Sequence, residues 1–172
     1  VGDAEAYGFE LESVFKPIDA VTLSANLGYT HFKYTKLRQE LLQVGSIGVH
    51  NRANRTNTFS AEYETQPIFA GATLQLQLSA KHRSNQLLTS TVVPFRPQYY
   101  VDAAQTGTVW LFDARATLDA IETAVGALAK ISLWGKNIFD SRKINYGADL
   151  VGAMTAKYEN AATYGIDFTI EF

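Results

Sequence analysis

Seven stretches of this chain alternate apolar with polar or small residues at a strict period of two. The last is the clearest: Tyr164, Ile166, Phe168, Ile170 and Phe172 interleave with Thr163, Gly165, Asp167, Thr169 and Glu171 up to the final residue. Upstream, Tyr7, Phe9 and Leu11 alternate with Gly8, Glu10 and Glu12, and Val21, Leu23, Ala25, Leu27 and Tyr29 with Thr22, Ser24, Asn26, Gly28 and Thr30. Phe59, Ala61 and Tyr63 continue the pattern, as do Leu74, Leu76, Leu78 and Ala80, then Trp110 through Leu118, then Ala129, Ile131 and Leu133. A period of two is that of a strand with one face in an apolar medium and the other wet. The pattern predicts antiparallel strands centred near residues 10, 27, 61, 78, 114, 132 and 168, and no helix.

The connections take turns as well. Short ones cover 16–20, 66–71 and 121–126 and carry the Pro, Gly and Asp of tight turns, whereas long ones cover about 36–54, 86–106 and 140–161. All short turns therefore fall at one end of the sheet and all long loops at the other, the asymmetry of outer-membrane barrels. A soluble β-sandwich would also alternate, but its outer face would be rich in Lys and Glu. Here the polar face carries Ser24, Asn26, Thr58, Ser60, Gln75 and Gln77 beside a few carboxylates, which suits a hydrated lumen. Strands of roughly 10 to 14 residues also match a tilted membrane-spanning strand better than a sandwich strand.

Composition narrows the function classes. The 172 residues suit one domain, and charged residues are 19% of them. The net charge of −2 argues against a nucleic-acid partner. Without cysteine there is no disulfide frame, thiolate nucleophile or Cys-based zinc site. No window of about 18 apolar residues offers a transmembrane helix. The chain opens on Val1 close to a patterned segment and reads as a piece of something longer.

The stretch "LWGKNIFD" (133–140) resembles the penultimate-strand motif of TonB-dependent outer-membrane receptors. "YGFELESVFKPIDAVTLSANLGYTHFKY" (7–34) is similar to that family's Gly-x-Glu-x-Glu strand, Pro-x-Asp turn and following strand, and "NRTNTFSAEYE" (54–64) to the strand after the next loop. The terminal "TYGIDFTIEF" resembles the family's last strand. The resemblance implies a transmembrane, antiparallel up-and-down β-barrel of 22 strands around an N-terminal plug, of which residues 1–172 supply the last seven strands and none of the plug. It implies uptake of a scarce ligand, a ferric siderophore by default, driven through the TonB complex by way of the absent N-terminal part. It also implies that Tyr164, Ile166, Phe168, Ile170 and Phe172 form the signal read by the outer-membrane assembly machinery, with the C-terminus on the periplasmic side.

Catalysis has little support. His82 and Ser84 would share a strand face, but no positioned carboxylate accompanies them, so no catalytic residue, cofactor or metal site is assigned. The topology puts His31, His50 and His82 at the extracellular, long-loop side, together with Lys33, Lys36, Arg38, Arg52, Arg55, Lys81, Arg83, Arg96, Arg142 and Lys143. Such cations serve an anionic ligand or the phosphates of lipopolysaccharide equally well, and Phe95, Tyr99 and Tyr100 can stack on a ligand ring or pack their own loop. The candidate ligand-binding set is His50, Arg52, Arg96, Tyr99 and Tyr100. Glu10, Glu12, Glu62, Glu64, Asp113, Arg115 and Lys130 are expected to face the lumen, where wet charges cost little.

A rival reading is a complete eight-stranded barrel with a structural or adhesive role, which needs one more strand hidden within 140–161. The outward set Leu23, Leu76, Ile131 and Phe168, against Ser24, Gln75, Ser132 and Thr169, tests either barrel reading.

Overall fold

The computed structural model describes residues 3–36, 52–88, 104–150 and 153–172. Those residues are all-β and form nine strands: β1 (Ala4–Ile18), β2 (Val21–Tyr34), β3 (Arg55–Glu64), β4 (Thr73–Arg83), β5 (Val109–Glu122), β6 (Leu128–Lys136), β7 (Ile144–Leu150), β8 (Ala153–Tyr158) and β9 (Thr163–Glu171). Seven of them form one antiparallel sheet in the order β1-β2-β3-β4-β5-β6-β9, and β7 and β8 pair as a separate hairpin. The seven strands of the main sheet are the seven expected from the alternation. The hairpin is a correction, because the 140–161 connection carries two further strands. Its signal was present, since Ile144, Tyr146, Ala148 and Leu150 alternate with Asn145, Gly147 and Asp149, but each strand is only a few residues long.

Register shows that the alternation is continuous across strands. Phe15, Leu23, Ala61, Leu78 and Ala114 lie in one cross-strand row, and Tyr63, Leu76, Ala116, Leu133 and Ile166 in the next. Leu23, Leu76, Leu78, Leu133 and Ile166 of these rows, and Ile131 and Phe168 of the following one, are exposed, so the described residues lay no large apolar core against this face. An apolar face of this extent is not left to water, and hydrocarbon is the medium that suits it.

The opposite face is a hydrogen-bonded lattice. Ser24 and Ser60 share a 2.6 Å bond, Gln77 donates to Glu62 at 2.8 Å, and Thr117 and Ser132 pair at 2.9 Å. Ion pairs Lys81–Asp113 (2.9 Å), Arg115–Asp167 (2.6 Å) and Lys130–Asp119 (2.7 Å) bridge neighbouring or next strands. Asp113, Arg115 and Lys130 thus lie on the polar face, each with a partner within the sheet. Exposed pairs of this kind contribute at most about 1 kcal/mol each, so they neutralise the face more than they stabilise it.

Two aromatic side chains fasten β6 to β9. Trp134 lies directly opposite Gly165 and Tyr164 opposite Gly135. A Cβ on Gly135 would sit 2.9 Å from the Tyr164 ring, and one on Gly165 would collide with the Trp134 indole. The Tyr164 hydroxyl then donates to the Ile138 carbonyl at 2.9 Å, and the Trp134 indole N–H to Asp167 at 3.1 Å. The two rings cover their glycines from opposite faces of the sheet.

At the short-turn end, Asp19 and Ala20 alone link β1 to β2, a tighter turn than the sequence suggested. In the β5–β6 turn, Gly126 has φ +80°, a conformation that glycine adopts without strain.

Candidate functional site at the loop end of the sheet

Most of the candidate ligand-binding set, His50, Arg96, Tyr99 and Tyr100, lies outside the described residues. Arg52 is described and exposed. Its guanidinium sits 5.9 Å from the centroid of the Phe32 ring, and Phe32 meets Tyr34 edge-on at 5.2 Å. By the period of β2, Phe32 and Tyr34 continue the polar face of Ser24 and Asn26 towards the long loops. A cation over a ring with a second ring beside it suits an anionic or aromatic group.

Next along the rim, Arg83 ends β4 on the face that also carries Lys81. Its Nη1 donates to the Asn145 carbonyl (3.1 Å) and side-chain oxygen (2.7 Å), and its Nη2 to the Ile144 carbonyl and a Glu159 carboxylate oxygen, both at 3.1 Å. The Arg83 and Glu159 side chains are only 18% and 11% exposed, so this pair is shielded where the sheet pairs are not. Leu88, Ala104, Thr106 and Val109, the first residue of β5, are buried at this end of the sheet. Arg83 was one of ten loop-end cations in the sequence, and nothing local marked it out, because its partners stand 61 to 76 residues away.

The "LWGKNIFD" stretch closes the rim. Asn137, with φ 48°, donates through Nδ2 to the carbonyls of Ser141 (3.0 Å) and Asn160 (2.8 Å). Its Oδ1 accepts the Ser141 N–H at 2.9 Å, and its own N–H donates to Asp113 at 2.9 Å. Asp140, also at positive φ, accepts from the Ala162 N–H and from Arg142 Nε, both at 2.8 Å. Those two donors hold the Asp140 carboxyl below its ordinary value. The motif is therefore a structural knot that turns β6 into the hairpin and receives the chain again before β9. Asn and Asp tolerate positive φ better than most residues, which was the local signal for it.

The two described histidines, His31 and His82, belong elsewhere. His31 stacks on Tyr7 with centroids 4.8 Å apart, and His82 lies 4.7 Å from Trp110 with Nδ1 3.1 Å from the Asn57 amide. By register both point to the apolar side, within a belt that includes Phe9, Tyr29, Phe59, Trp110, Phe112 and Phe139. Such a belt marks a membrane–water boundary. Ser84 accepts the Arg55 N–H at 3.1 Å while His82 Nδ1 meets Asn57, so among the described residues each has a partner other than the other. A broad concavity of about 840 Å³ runs beside Ala61, Leu76, Leu78, Ala116, Leu133 and Ile166. Its lining is the outward apolar face, so acyl chains rather than a polar ligand fit it.

On the terminal strand, Tyr164, Ile166, Phe168 and Ile170 are exposed on the apolar face, and Phe172 is fully exposed.

No protein-family model matches the chain, and no curated protein matches its sequence. Solved structures do match. The ferric yersiniabactin uptake receptor FyuA from Yersinia pestis superposes with a TM-score of 0.74 at 20% identity, over 98% of this chain and 24% of that one. BauA, the ferric preacinetobactin receptor from Acinetobacter baumannii, gives 0.73 at 16% identity, over 99% of this chain and 22% of that one. The chain spans about a quarter of the length of these receptors. Its fold is that of a section of these two receptors, seven antiparallel strands from the wall of a β-barrel.

Proposed function

We propose that the chain is the C-terminal part of the barrel of a TonB-dependent outer-membrane receptor that takes up a scarce ligand, a ferric siderophore. The observation that carries this reading is the likeness to two receptors for ferric ligands across nearly the whole sheet. The rim supports it: Arg52 over Phe32, with Tyr34 beside it, offers a cation and ring faces where a ligand would enter. In this reading His50, Arg96, Tyr99 and Tyr100, carried by the long connections of the sequence, complete the capture surface. The loops capture, and the missing N-terminal part supplies the plug and the contact with the TonB complex. Lipopolysaccharide phosphates compete for the same outward cations, and the bilayer covers the apolar face.

The eight-stranded rival fares worse. It needs a strand from 140–161 to join the sheet, but β7 and β8 pair only with each other and β1 does not pair with β9. A heat-modifiable, monodisperse monomer formed by the 172-residue chain alone would restore it.

The test is uptake of radiolabelled iron by cells carrying the full-length protein, with a panel of ferric siderophores and with TonB present or absent. TonB-dependent uptake of at least one chelate is expected. Surface-exposed protein that neither binds nor imports any of them would overturn the reading. Deleting Phe172 separates assembly from capture. Surface abundance should fall while binding per assembled molecule is kept, because Phe172 lies at the short-turn rim, remote from the loops.

A further inference from the structure

The β7–β8 hairpin does not belong to the main sheet. Asn137, just past β6, holds the segments that flank it at Ser141 and Asn160, and Arg83 at the end of β4 holds its base. Arg83 spends both terminal nitrogens on it: Nη1 on the backbone and side chain of Asn145, Nη2 on the Ile144 carbonyl and on Glu159. Ile144 and Asn145 open β7, and Glu159 follows β8, so a single planar guanidinium grips both legs of the hairpin at its base. Glu159 itself closes that base by donating its N–H to the Lys143 carbonyl at 2.8 Å.

The grip reaches the preceding connection. Leu88, 1% exposed, lies between β4 and β5, where its N–H donates to the Ala104 carbonyl at 2.8 Å. Its methyl carbons lie 3.0 and 3.2 Å from where a Cβ on Gly147 of β7 would be, so the hairpin covers it. Arg83 Nε is buried and has no hydrogen-bond partner among the described residues. Among the described residues, the guanidinium is thus committed to the hairpin through its outer nitrogens.

We infer that Arg83 is a latch: a positioning residue that fixes the β7–β8 hairpin on the wall and couples it to the 84–108 connection, so that the hairpin can be released while the sheet stays intact. This goes beyond the uptake reading, and its test needs no ligand. A lysine cannot replace the latch, because an ammonium is a point donor and cannot reach four acceptors that the guanidinium divides between two nitrogens.

The chain has no cysteine, so one introduced thiol reports cleanly. Leu88→Cys is made in the full-length protein, with any cysteines elsewhere replaced by serine, and labelled in membranes with an impermeant maleimide. Ser132→Cys, on the sheet at 1% exposure, is the control for the wall. Adding Arg83→Gln should speed labelling at position 88 by about tenfold or more, as for a local opening made easier. Arg83→Lys should come close to it, and the Ser132→Cys site should stay protected in both. Unchanged labelling at 88 in Arg83→Gln would overturn the proposal. So would full protection in Arg83→Lys, a parallel rise at 132, or loss of the assembled barrel, since each would give Arg83 a role other than holding the hairpin.

Discussion

The wall and the loop end of this molecule are stabilised in opposite ways. In the wall, each contact is one of many like it: Ser24–Ser60, Gln77–Glu62, Thr117–Ser132 and three ion pairs repeat across strands that the backbone ladder already holds. No single one is essential, and what the wall demands is the right polarity on the right face. At the loop end, single side chains reach backbone groups far along the chain, as Asn137 does to Asn160 and Arg83 to Ile144. There identity matters more than polarity. A repeating lattice spreads its energy thinly, whereas a non-repeating cap concentrates it in a few residues.

The sharpest way to break this comparison is to violate the polarity of the wall. Leu78 lies near the middle of β4 on the apolar face, next to Gln77 on the other. Leu78→Arg should cost about 2–4 kcal/mol if that face meets hydrocarbon near the midplane. Gln77→Arg should cost far less, because it faces Glu62 in the wet lattice. Folding titrations of the full-length protein into lipid vesicles measure both. Equal costs would mean that the two faces do not meet different media.

At the cap, identity is the test. Asn137→Ala removes three hydrogen bonds of a buried amide and forces alanine into positive φ, for an expected loss of about 1–3 kcal/mol. Asn137→Gly loses the same bonds but accepts the backbone angle, so it should fall between alanine and the parent. Protease nicking between 141 and 160, measured against intact wall, reads this locally. If alanine and glycine behave alike, backbone strain at 137 contributes nothing.

The same contrast explains what could be read in the sequence. The wall was legible because a period of two needs only adjacent residues: Leu74 through Ala80 announce β4 without reference to any other segment. Face assignment followed, and Leu23 and Ser24 stand on opposite sides, as the pattern required. The hairpin was not legible, because Ile144 to Leu150 is a short alternation inside a long connection. Arg83 was hidden for a different reason. Its role depends on Asn145 and Glu159 arriving beside it, which is a property of the folded chain. Asn137 and Asp140 were recognised as part of a family motif, yet their work as a cap became visible only in the hydrogen bonds.

The smallest expected effect concerns pH. The Asp140 carboxyl is held below its ordinary value of 3.8 by the Ala162 N–H and then by Arg142. A depressed folded value means that its contribution is complete above 3.8 and is lost as the pH falls below it towards the folded value. Accessibility of the 141–162 connection should therefore rise modestly in acid below the ordinary carboxylate range. Asp140→Asn, which also tolerates positive φ, should flatten that rise. An unchanged acid profile in Asp140→Asn would assign it to another group.

The paired rings and glycines between β6 and β9 carry a consequence for how a barrel is put together. Sliding β9 by two residues would keep every side chain on its proper face, so polarity alone could not reject that error. It would, however, set Trp134 against Thr163 or Asp167, and Gly135 against Ala162 or Ile166, in place of its Tyr164 partner. The indole would then meet a Cβ where it now meets none. The joint works as a lock-and-ward against misalignment, and it sits on the strand whose far edge is free to meet another. In a closed cylinder, one offset at such a seam changes the stagger of every strand and with it the bore. Two glycines and two rings therefore act as a gauge for the diameter of the whole tube.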